Sequence, residues 1–143
     1  MSDPLAPTVV PPAHAGPAPA ALRLPSDLQP DALLRAVAEN ATLALFVMDE
    51  RQHCVYMNPA AERLTGYTLA ETRGRPLHDV VHHTRPDGRP YPLHECPIDR
   101  ALPQNLREQG VETFVHRDGS FYPVAFTACP LRQDGVAVGT IIE

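Results

Sequence analysis

Tryptophan and lysine are both absent from this 143-residue chain, and its aromatic residues amount to four Tyr and four Phe. The core must therefore be mainly aliphatic, and every basic side chain other than histidine is an arginine. No apolar run reaches the roughly 18 residues that a membrane span requires. The N-terminus has neither the basic start nor the continuous apolar stretch of a secretory signal. Cysteine is sparse: Cys54, Cys96 and Cys129 are odd in number and widely spaced. They describe no disulfide framework and read as reduced thiols of a cytoplasmic protein. The formal net charge of −5 offers no electrostatic footprint for phosphate backbones, so a nucleic-acid partner is not expected. Gly-rich phosphate loops, kinase strings, paired carboxylates and Cys-x-x-Cys-His are missing too, and no enzymatic activity is expected of this chain.

Proline, by contrast, is abundant at 17 residues, and its distribution divides the chain. Residues 1–26 are Pro- and Ala-rich without periodicity, the composition of a disordered or polyproline-like tail. Residues 27–143 read as one domain. Its first element is a helix over 27–41, with Ser26 or Gln29 as cap and Pro30 in the first turn. Leu33, Leu34, Val37, Ala38 and Ala41 form one apolar stripe on it at helical spacing. Two short apolar runs, 43–48 and 54–57, flank a polar turn in the pattern of a hairpin. Short helices follow over 60–64, 69–72 and 76–81. Residues 82–93 form a Pro-rich insert, unusually long for so small a domain, and lead to a short helix over 95–102. The last third predicts three strands, 111–116, 121–131 and 136–142. They are joined by turns at Arg117-Asp118-Gly119-Ser120 and Gln133-Asp134-Gly135. Pro123 and Pro130 within the long strand imply a break in its ladder or an edge at those points. The expected fold class is α+β: a five-stranded antiparallel sheet with short helices inserted between strands 2 and 3, preceded by an N-terminal helix.

Several strings in this order resemble the PAS family. Leu45-Phe46-Val47-Met48-Asp49 is similar to its first strand and closing acid, and Val55-Tyr56-Met57-Asn58-Pro59-Ala60-Ala61-Glu62 to its second strand and helix entry. Leu64-Thr65-Gly66-Tyr67 resembles the end of that helix. Arg117-Asp118-Gly119-Ser120 with Tyr122-Pro123-Val124 resembles the late turn and strand. The resemblance covers about residues 29–143. In it Asn58, Gly66, Asp118 and Gly119 have structural work: an Asx bond at a strand-to-helix junction, a positive φ at a helix end, and a tight turn. The resemblance implies a sensory and dimerisation module, pairing with a second copy through residues 27–41. It also implies that the chain feeds a downstream histidine kinase or cyclic-dinucleotide output domain. Family members usually continue past the last strand into a connector, whereas this sequence stops at Ile142-Glu143, as expected of one piece of a larger sensor.

The ligand implied by the resemblance varies: haem, flavin, small acids or nothing. Flavin photochemistry needs a cysteine in an Asn-Cys-Arg helix, a setting that neither Cys54 nor Cys96 has. Non-covalent haem needs an axial imidazole; among His78, His82, His83 and His94, His94 at the entry to the late helix is the candidate. Imidazoles and a thiol also suit a divalent metal, with His82, His83, His94 and Cys96 as the set if the intervening prolines fold back. Two further readings remain: the insert is a structural lid over a buried Cys96, or the domain is an interaction module without a ligand.

Overall fold

The computed structural model describes residues 27–143; the expected tail over 1–26, with Ser26 as a cap, lies outside the described residues. Helix α1 (Pro30–Asn40) starts with Gln29 at the N-cap position and Pro30 in its first turn. A hairpin of β1 (Phe46–Asp49) and β2 (Cys54–Met57) follows. Three short helices come next, α2 (Pro59–Thr65), α3 (Leu69–Thr72) and α4 (Leu77–Val81). The Pro-rich insert and a 3₁₀ turn at Leu93–Glu95 lead into α5 (Pro97–Gln104). Strands β3 (Glu108–Val115), β4 (Phe121–Gln133) and β5 (Val136–Ile142) complete the chain. All strand pairs are antiparallel, in the order β2-β1-β5-β4-β3. This is the expected five-stranded α+β sheet, with helices α2 to α5 inserted between its second and third strands.

β4 explains how a 13-residue strand carries two prolines. Its first half, including Pro123, pairs with β3, and its second half, including Pro130, pairs with β5. Around Thr127 and Ala128 it has partners on both sides. Each proline therefore has one strand neighbour, so its missing N–H has an open side. Ahead of β3 the expected boundary moves from 111 to Glu108, because Gln109 and Gly110 pair with Thr127 and Phe126 despite having no apolar pattern of their own.

The core lies between the sheet and the inserted helices. Phe46 and Met48 alternate inward along β1 and meet Leu77, Val80 and Val81 of α4, Ile98 of α5 and Phe114 of β3 in one cluster. Asn58 is 0% exposed and fills every hydrogen-bonding position of its amide. Its Oδ1 accepts from the Ala61 and Leu45 amides at 2.9 Å each, and its Nδ2 donates to the Ala38 and Leu43 carbonyls at 3.0 and 2.9 Å. One side chain thus caps α2, fixes the entry to β1 and holds the last turn of α1. Gly66 ends α2 at φ 79; besides the strained φ, a Cβ there would lie 2.6 Å from the His116 ring. Asp118 and Gly119 form the expected tight turn: the Asp118 carboxylate accepts from the Ser120 amide at 2.8 Å, and Gly119 has φ 87.

Candidate functional site

The interior of the helical side holds a polar cluster built by α4, the insert and α5. α4 carries His78, and His82 is its C-cap residue. The i, i+4 relation places both imidazoles on one face. Beyond His82 the chain runs out and folds back. Gly88 donates to the Arg85 carbonyl, Arg85 to the Arg89 carbonyl, and Tyr91 to the His83 carbonyl, each at 2.8 Å. Arg85 lies over the Tyr91 ring at 4.0 Å and pairs with Glu95. The insert is therefore a clipped lid, and its return delivers Cys96 to the N-cap of α5 beneath it.

His82 Nδ1 lies 3.2 Å from Cys96 Sγ, and its Nε2 lies 3.1 Å from Glu112 Oε2 on β3. His78 Nε2 lies 2.8 Å from the Tyr91 carbonyl. A carbonyl only accepts, so this nitrogen carries the hydrogen, and in the neutral ring Nδ1 holds the lone pair. That Nδ1 is buried without a hydrogen-bond partner and faces Asp99 Oδ2 of α5 at 3.6 Å. By the same reasoning His82 donates from Nε2 to Glu112 and turns the Nδ1 lone pair towards the thiol. The ligand atoms of His78, His82 and Cys96 all lie within 4.8 Å of one another. A cavity of about 10 Å³ opens among them, Asp99 and apolar walls that include Met48 and Phe114.

Burial dominates the electrostatics. It lowers the His82 imidazole to about 4, aided by the neighbouring His78, Arg85 and His83. At the rim Glu112 accepts from the His82 ring, with its own side chain 21% exposed. Burial also pushes the Cys96 thiol up, with the negative charge of Asp99 adding to it, while the Asp99 and Ile98 amides pull the other way. The Asp99 carboxyl is raised, again mainly by burial. Cys96, His82 and Glu112 thus stand in the order of nucleophile, base and orienting acid. Cys96 is 1% exposed, and that burial opposes ionisation of its thiol.

Of the four residues expected to bind metal, His82 and Cys96 are brought together and two are not. His83 is exposed and bonds Thr84 Oγ1 at 2.6 Å. The His94 side chain is 82% exposed, with the Glu95 carboxylate at 4.0 Å. As the haem candidate His94 therefore faces out of the domain, and the 10 Å³ interior cavity has room for about one water-sized occupant rather than a macrocycle. The sequence alone does not single out His78, Asp99 and Glu112 as a set; its one signal is the His78-x-x-x-His82 spacing, which runs from the expected 76–81 helix into the first residue of the insert.

A family model described as PAS fold matches residues 32–142. The chain belongs to that family. Over 100 residues this PAS domain is 32% identical to the probable diguanylate cyclase DgcE of Escherichia coli K12, a match that takes in 69% of the chain. It spans only 9% of the length of that curated relative. Among solved structures it is 30% identical to an RNA-binding light-oxygen-voltage receptor, with a TM-score of 0.69 over 90% of this chain and 35% of the receptor. A PAS domain from Colwellia psychrerythraea superposes with a TM-score of 0.62 at 18% identity, over 77% of this chain and 90% of that one; this likeness is one of fold. Among the described residues no helix is long and apolar enough to cross a membrane.

Proposed function

We propose that this PAS domain is the signal-input part of a larger signalling protein of the sensor-kinase or cyclic-dinucleotide type. In this reading it works in the cytoplasm as a pair of chains joined through α1. The observation that carries the pairing is that α1 buries none of its residues. Leu34 and Val37 on its apolar stripe are 68% and 61% exposed, so the stripe is free for a partner. Between α1 and the outer face of the sheet runs a groove of about 760 Å³, lined by Leu34, Ala38, Leu45, Val47, Tyr56 and Ile141. Its rim carries both signs of charge, Asp31 and Glu39 with Arg35 and Arg73. A two-fold interface apposes one patch to itself, and a patch of mixed charge is self-complementary in that setting. The Asn58 bond to the Ala38 carbonyl connects this face to the core, which gives a change inside the domain a route to α1. The identity to a probable diguanylate cyclase supports a cyclic-dinucleotide output. Three free cysteines fit a reducing compartment.

Sedimentation velocity over a concentration series tests the pairing. The unaltered chain is expected to dimerise, and Leu34→Glu or Val37→Glu to weaken self-association at least tenfold, about 1.4 kcal/mol. A chain that stays monomeric throughout, or dimers that survive both substitutions, would end the proposal.

A further inference from the structure

The cluster under the lid has an unusual donor arrangement. His78 and His82 both anchor their Nε2–H on a fixed acceptor, the Tyr91 carbonyl at 2.8 Å and the Glu112 carboxylate at 3.1 Å. Their Nδ1 atoms are left facing the interior. Anchoring of the remote ring nitrogen by a carbonyl or carboxylate is how metal-ligating histidines are held. The His78 side chain is 3% exposed, and its Nδ1 has no hydrogen-bond partner. Opposite it at 3.6 Å stands Oδ2 of the buried Asp99 carboxylate, whose other oxygen, Oδ1, has no hydrogen-bond partner. Two acceptors that face each other in a dry interior need a proton or a cation between them.

We propose that His78 Nδ1, His82 Nδ1 and Cys96 Sγ, with the Asp99 carboxylate as fourth ligand, bind one divalent cation of the zinc class. The proposal deepens the sensory reading by naming what the input domain takes up, and to that extent rests on it. Imidazole nitrogen and thiolate sulfur select borderline-soft ions over magnesium or calcium. Bond lengths of about 2.0–2.1 Å to nitrogen and 2.3 Å to sulfur place tetrahedral ligands roughly 3.3–3.7 Å apart. The His82–Cys96 separation of 3.2 Å and the His78–Asp99 separation of 3.6 Å are close to this. The remaining adjustment is a contraction of the three principal donors from within 4.8 Å, together with a movement of the Asp99 carboxylate, which lies outside that close set, towards His82 and Cys96. Charge also balances: a divalent ion is neutralised by one thiolate and one carboxylate, with both histidines neutral. Cys96 gives up its thiol proton to solvent when the metal–sulfur bond forms. The 10 Å³ cavity is the size of an ion or a single water and excludes an organic ligand.

The test uses the full chain, stripped with a chelator and titrated with cobalt(II), which reports thiolate ligation and tetrahedral geometry by absorbance. Saturation at one cobalt per chain with a sulfur-to-metal charge-transfer band, displaced by zinc, is expected. Cys96→Ser should abolish the band and His78→Gln weaken binding more than tenfold. Glu112→Gln should weaken it about 10- to 100-fold through the orientation of His82. His83→Ala and His94→Ala should change nothing. No band at saturating cobalt, or an unchanged titration in His78→Gln, overturns the site; that variant keeps the test decisive should Cys96→Ser fail to fold. Sedimentation of the same stripped chain separates this result from the pairing proposal, since either can fail alone.

Discussion

Replacing Asn58 with alanine should be among the most damaging single changes in the domain. The substitution removes four hydrogen bonds at once: two acceptor bonds to the Ala61 and Leu45 amides and two donor bonds to the Ala38 and Leu43 carbonyls. With the site fully buried, water cannot replace them. At about 1 kcal/mol per bond, with the cap on α2 itself worth about that much, the loss is about 4 kcal/mol. In urea, at a slope of about 2 kcal/mol/M, the midpoint should fall by roughly 2 M with the slope unchanged. Asn58→Asp separates the two halves of the interaction. The carboxylate keeps both acceptor bonds but sets an oxygen against two carbonyls, so at neutral pH it should not rescue the alanine variant. Its folded-state pKa would then lie above the unfolded value of about 3.9. Its stability is complete below that value and is lost as pH rises through the folded pKa, so the aspartate variant should recover on acidification while the alanine variant does not. A loss below about 1 kcal/mol for Asn58→Ala, or a flat pH response for Asn58→Asp, would refute the reasoning.

Two other sites give sharp expectations. Gly139 pairs with Asp49 of β1, and a Cβ added there would lie 2.2 Å from the Met48 carbonyl oxygen. Backbone must move, so Gly139→Ala should cost at least about 2 kcal/mol in thermal or urea unfolding; a near-neutral result would show that β1 and β5 can separate freely. The Tyr122 hydroxyl is buried without a hydrogen-bond partner, and burial raises its pKa to about 12. Its stabilising contribution is complete below pH 10 and falls as pH rises towards 12. Because the ring is half-buried, the loss is roughly 1 kcal/mol rather than the full shift. Tyr122→Phe should leave stability at pH 7 unchanged or higher and flatten that alkaline decline, and equal slopes for the two proteins above pH 10 would contradict it.

The sheet, the inserted helices and the turns were legible because each rests on local chemistry. Asp118-Gly119 fixes a turn, Asn58-Pro59 closes a strand and opens a helix, and two short apolar runs flanking a polar turn mark β1 and β2. The start of β3 was not, since Glu108, Gln109 and Gly110 owe their strand conformation to β4 and not to their own pattern. The site was half legible for a related reason. His83 and His94 are sequence neighbours of the buried His82 and Cys96, one and two residues away, but both are exposed to solvent. His78, Asp99 and Glu112 come from three elements, the last 30 residues from His82. The folded lid, which returns the chain to α5, and the pairing of β3 in the sheet bring them within reach.

The divided pairing of β4 has a mechanical consequence. The β2-β1-β5 ladder and the β3 ladder are joined by a single continuous strand, with partners on both sides only near Thr127 and Ala128. Along the hydrogen-bonded ladders a pull on β5 reaches β1 directly but reaches β3 through β4 at that crossing, while α5, packed against β3, β4 and β5, braces the join. The strand thus joins two panels, and Glu112, which accepts from His82 on the β3 panel, lies across it from the β1-β2 hairpin.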